Sequence, residues 1–145
     1  MSVDEVVDQL AEKYICDFSD LKIEHLAHVL DIKIGFNEDS DCYVRYQGND
    51  IILLRRNTSY EMWLAFCHEL GHMMLHSTKQ YCMTRMFNEY QESQADKFAI
   101  LLMMPGHLIK RYELYEAADL AAYFKVPFNL ALKRLEMFVA KLKIY

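Results

Sequence analysis

The sequence predicts an α+β fold, a short three-stranded sheet beside a helical bundle, and three observations predict it. Apolar residues keep helical spacing through both ends of the chain. Between about residues 31 and 55 the spacing changes to alternation. Only four glycines and two prolines interrupt 145 residues, of which 53% are hydrophobic, a balance that suits a compact helix-rich core.

Taken in order, Val3, Val6, Val7, Leu10 and Tyr14 predict a first helix running to about Cys16. Ser19 or Asp20 is placed to cap a second helix carrying Leu21, Leu26, Val29 and Leu30. "DIKIGF" and "CYVRY" then alternate, and "NDIILLRR" is a short apolar run after a turn at Gly48. These are three strands, and the last two form a hairpin. Thr58 or Ser59 caps a long helix over about Tyr60 to His76. Residues 77–90 show no period and read as a loop. A helix from about Gln91 to Met103 follows, ended by Pro105, which cannot continue it. The remainder reads as two or three short helices. No repeat, low-complexity tract or flexible linker divides the chain, so one domain is expected over 1–145, with a core in 1–104 and a helical subregion in 105–145.

The chain opens MSVDEVVDQL, with acids where a secretory signal carries basic residues, and no window offers the roughly eighteen uncharged residues of a membrane span. Cys16, Cys42, Cys67 and Cys82 lie far apart without a CxxC pair, so reduced thiols and a cytoplasmic location are expected. Net charge is −5 and uneven: residues 1–104 carry nine basic and seventeen acidic side chains, residues 105–145 seven and four. An acidic body argues against non-specific nucleic-acid binding as the main activity.

The chemistry concentrates in "FCHELGHMMLH", residues 66–76. His68 and His72 stand four apart, which on a helix turns the face by only about 40° and leaves the side chains within roughly 6 Å. Two imidazoles so placed hold one zinc ion, and Glu69 beside them reaches a water that the ion acidifies, taking its proton and passing it to a leaving amine. Gly71 lets another element approach the helix closely. His76 lies about 80° around the helix from His68 and reads as structural or as part of the site wall. Cys67 reads as a core thiol.

Histidines on an apolar helix are often satisfied core residues, and a second motif is what moves this reading to a metal. In "ESQAD", Glu92 and Asp96 again share one face of a helix, otherwise filled by Ala95, Phe98, Ala99, Leu101 and Leu102. Glu92 suits a third zinc ligand, with Glu89 and Asp96 as rivals, and Asp96 suits the acceptor that orients a ligand histidine. Three protein ligands and an open fourth position make a catalytic site. Tyr60, Tyr81, Tyr90 and His107 are candidates to stabilise the tetrahedral oxyanion.

With both motifs in hand, the chain resembles the ImmA/IrrE family of zinc metallopeptidases over about residues 50–105, through "IILLRRNTSYEMWLAFCHELGHMMLH" and "ESQADKFAILLMMP". Gln94 stands where the family pattern has a second glutamate. The resemblance implies a small zincin-like domain and a phage or mobile-element protein that cuts a helix-turn-helix repressor to relieve repression. The alternative is a non-proteolytic antirepressor that inactivates the same partner by binding. By analogy with other zinc peptidases, "IILLRR" is a candidate edge strand for pairing with a substrate peptide, or an ordinary sheet strand.

"ADLAAYFKVPFNLALKRLEMF" looks like a helix-turn-helix with a turn at Val126-Pro127, able in principle to read DNA through Asn129, Lys133 and Arg134. Lacking a strong basic stripe, it is read as a packing or docking unit, and direct DNA binding is not expected.

Overall fold

The computed structural model describes residues 1–76 and 85–142 and shows the α+β architecture. Helix α1 (Val3–Tyr14) opens on a reciprocal cap: the Ser2 hydroxyl accepts from the Glu5 N–H, and the Glu5 carboxylate accepts from the Ser2 N–H. The second helix begins later than its apolar spacing predicts. Phe18–Asp20 form a 3-10 turn capped by Asp17, and α2 occupies only Ile23–Val29. Ser19 and Asp20 cap nothing in α2, because Asp20 instead accepts from the Cys16 N–H and Ser19 bonds Asp17.

The sheet comprises β1 (Ile32–Asn37), β2 (Cys42–Tyr46) and β3 (Asn49–Arg55), in the order β1-β3-β2. β2 and β3 are the expected antiparallel hairpin, turning at Gln47 and Gly48, which both have positive φ (50° and 77°) as a tight two-residue hairpin turn requires. β1 pairs parallel to β3, Ile32 opposite Asp50 through Asn37 opposite Arg55. β3 is therefore the central strand, bonded on both sides, and "IILLRR" has no free edge to offer a substrate. The alternation in β3 sends Ile52 and Leu54 wholly into the core.

Helix α3 (Ser59–Leu75) starts where the Thr58 hydroxyl accepts from the Glu61 N–H. Helix α4 runs over Arg85–Met103, so residues 85–90, read from sequence as loop, are helical. The rest of that predicted loop, residues 77–84, lies outside the described residues. Three helices follow, α5 (Gly106–Arg111), α6 (Ala117–Phe124) and α7 (Phe128–Lys141), with Pro105 at the start of α5 and Pro127 at the start of α7.

α3 and α4 pack on each other beside the sheet. Phe66 and Leu70 of α3 and Phe98 and Leu102 of α4 are completely buried together with Leu26 and Ile52. Each such side chain contributes about 1.5–3 kcal/mol relative to exposure. Gly71 sits at the closest approach: a Cβ there would lie 3.1 Å from Phe98 Cβ and 3.2 Å from Ala95 Cα. The two motif-bearing helices are thus held together by an apolar seam, and their polar residues emerge along its rim.

Candidate metal centre

On α3 Phe66, Cys67, Leu70, Gly71 and His72 are buried, and His68 and Glu69 are partly buried beside them. On α4 Ala95, Phe98 and Ala99 face inward, so Glu92 and Asp96, one turn apart, border the same seam from the other side. The three ligand candidates meet. His68 Nε2 lies 2.9 Å from Glu92 Oε2, His72 Nε2 2.8 Å from Glu92 Oε1, and the two Nε2 atoms 3.2 Å apart.

That donor set fits zinc. Two imidazole nitrogens and a carboxylate oxygen, all mutually within 4.8 Å, surround one point. Ligand distances of about 2.0–2.1 Å in a tetrahedron separate donors by roughly 3.3 Å, close to the spacing present. Among the described residues Glu89 is not in the cluster, and Asp96 does not take the third position. It lies instead 2.8 Å from His68 Nδ1, on the side of the ring turned away from the cluster.

Glu69 stands beside the cluster, half-buried. Burial pushes its carboxyl up to about 7, with Glu92 and Asp41 adding to the rise, while His68 and a hydrogen bond from the Tyr43 N–H oppose it. Burial lowers the pKa of His72, with Glu92 opposing and His68 and His76 reinforcing, which favours the neutral ring that a metal requires. Cys67 is fully buried and its thiol is pushed well above the ordinary range by desolvation, an inert core position.

His76 is also buried, and its placement was only partly legible in the sequence. Measured from His68 it spirals away. Measured from His72 it is one turn on, and its Nδ1 lies 3.3 Å from His72 Nδ1. Its Nε2 lies 2.7 Å from Gln94 Oε1.

The cluster opens into a cleft of about 430 Å³ whose walls include His68, Glu69 and Asp96, Asp41 and Arg55 from the sheet side, and Lys133 from α7. Nothing in local spacing announced that Lys133 faces the site; it follows from how α7 folds back. Its neighbour Arg134 is 3% exposed and donates from Nε to the Met104 carbonyl at 2.8 Å. A side chain so placed has no reach to a DNA base, and at this residue the segment packs. Of the oxyanion candidates, His107 bonds the Ile15 carbonyl at 2.8 Å on another face, and Tyr90 is exposed with its hydroxyl 3.1 Å from Gln94 Nε2. Tyr60 is half-buried beside the core, and Tyr81 lies outside the described residues.

The peptidase family model described as the IrrE N-terminal-like domain matches residues 27–136. The chain belongs to the ImmA/IrrE family. It is also 34% identical over 119 residues to the phage-like element PBSX protein XkdA of Bacillus subtilis (strain 168). That alignment covers 78% of this chain and 60% of XkdA, so the chain spans less than two thirds of the length of this relative. The family is one of metallopeptidases, and the α+β fold with its His/Glu cluster agrees with membership. No helix among the described residues is long and apolar enough to cross a membrane.

Proposed function

We propose that this ImmA/IrrE protein is a cytoplasmic zinc endopeptidase that cuts a helix-turn-helix repressor of a phage or mobile element and so relieves repression. The observation that carries the proposal is the convergence of His68 Nε2, His72 Nε2 and a Glu92 carboxylate oxygen at one point, beside a cleft whose wall includes His68 and Glu69. The phage-element origin of XkdA and the family resemblance support the choice of partner.

His68, His72 and Glu92 would hold the ion, and zinc so bound supplies Lewis acidity that brings a water's pKa near neutrality. Glu69 takes the proton onto a carboxylate oxygen. The protonated carboxyl then passes that proton to the nitrogen leaving the scissile amide. Asp96 accepts from the Nδ1–H of His68, which turns the Nε2 lone pair toward the cluster. With β3 internal, the strand beside Glu69 that is paired on one side among the described residues is β2, and it is the better place for an extended substrate to align.

The test is a purified reaction. Zinc-loaded protein incubated with the repressor of its own element should yield discrete fragments, mapped by mass spectrometry and abolished by a chelator. An intact repressor at equimolar enzyme overturns the peptidase reading.

A further inference from the structure

Behind the ligand candidates runs a line of polar contacts that the reaction above does not use: His72 to His76 to Gln94 to Tyr90. We propose that His76 and Gln94 are positioning residues that fix the tautomer of His72, so that its Nε2 presents a bare lone pair to the metal. The proposal rests on the zinc reading.

Gln94 Nε2 donates to the Tyr90 hydroxyl oxygen at 3.1 Å, which turns Gln94 Oε1 toward His76. That oxygen only accepts, so His76 Nε2, 2.7 Å away, carries the proton. A neutral imidazole protonated on Nε2 has its lone pair on Nδ1. His76 Nδ1 faces His72 Nδ1 at 3.3 Å, and a hydrogen bond there requires the proton to sit on His72. With Nδ1 of His72 protonated, its Nε2 is free to ligate. His72 and His76 are 4% and 8% exposed, so little water competes for these contacts.

The two ligand histidines are therefore braced differently. His68 leans on the carboxylate of Asp96, and His72 on a chain of neutral groups ending in an amide. Gln94 occupies the position where the family pattern has a glutamate, and either side chain offers the oxygen that the chain needs.

The test is zinc affinity, read by competition with a chromophoric chelator on proteins whose metal-free fold is checked by circular dichroism. His76→Leu and Gln94→Leu should each weaken zinc binding about 10- to 100-fold. His76→Asn, whose amide oxygen stands near the position of Nδ1, and Gln94→Glu should stay within about threefold of wild type, on the same donor–acceptor logic. Nitrogen-15 spectra of zinc-loaded wild type should show His76 protonated on Nε2 alone. Wild-type affinity in His76→Leu, equal losses in His76→Leu and His76→Asn, or a proton on His76 Nδ1 would each overturn the proposal. If wild type itself binds no zinc, the metal reading fails first, and a His68→Ala control that leaves binding unchanged identifies that case.

Discussion

Glu69 is the residue on which chemistry and stability make separate claims. As proton carrier it should be dispensable for binding the ion and indispensable for turnover. Glu69→Gln should hold one zinc per chain, measured by plasma mass spectrometry, while cleavage falls at least 10²- to 10⁴-fold, on the order expected for a lost general base. In the metal-free protein the same side chain opposes folding. Its carboxyl titrates at about 7 instead of the ordinary 4.5, so folding favours the protonated form. Stability from this group is fully present below its unfolded value and is lost as pH rises through the folded one. Glu69→Gln removes that loss. In chelator-treated protein its advantage over wild type in urea denaturation should be small near pH 4.5 and grow to about 2 kcal/mol above pH 7. An advantage that does not change with pH contradicts the assignment. Which residues gather at the site was largely readable, because i and i+4 spacing is a property of the helix itself. Spacing puts His68 beside His72 and Glu92 beside Asp96, whereas the meeting of the two pairs and the arrival of Tyr43, Asp41 and Lys133 are products of tertiary folding and leave no local trace.

At the level of elements, the site is a consequence of the α3–α4 seam. His68 and His72 ride on one helix and Glu92 on the other, so their separation is set by how closely the helices approach at Gly71. Gly71→Val adds atoms against Phe98 and the Ala95 backbone, which have no room to retreat. It should destabilise the fold by about 1–3 kcal/mol in urea titrations. It should also weaken zinc binding, because the two histidines are pushed off the carboxylate; unchanged affinity at reduced stability contradicts that coupling. The elements themselves were legible wherever periodicity was strong, in α1, α3 and the hairpin. They were misplaced where local bonding overrode it. Asp20 and Ser19 spend their side chains on Cys16 and Asp17 instead of capping α2, and the start of α4 carries too mixed a pattern to announce a helix. Of the strand order, only the β2–β3 hairpin was legible, from its turn. Alternation marks a strand's faces and says nothing of its neighbours, so the pairing of β1 with β3, which makes β3 internal, emerges only from the structure.

For the whole molecule, the last helix forms part of the cleft wall. α7 is fastened to the end of α4 through Arg134 and the Met104 carbonyl, and it brings Lys133 to the cleft wall, so a segment that resembles a DNA reader in sequence is built into the site. The three proposed ligands come from two helices and meet only in the folded chain. Zinc at a hundred times its dissociation constant should therefore stabilise the protein by about 2.7 kcal/mol, roughly 5–11 °C in melting temperature for a chain of this size. The shift should vanish in His72→Ala, and a shift that persists there contradicts the assigned ligands. The central claim, that these groups cut a repressor, is tested most directly in cells. The repressor of the same element is co-expressed with wild type or Glu69→Gln, following repressor length and promoter release together. The account predicts a shortened repressor and an open promoter with wild type alone. A promoter opened by both proteins while the repressor stays whole would contradict it, and would identify an antirepressor that acts by binding.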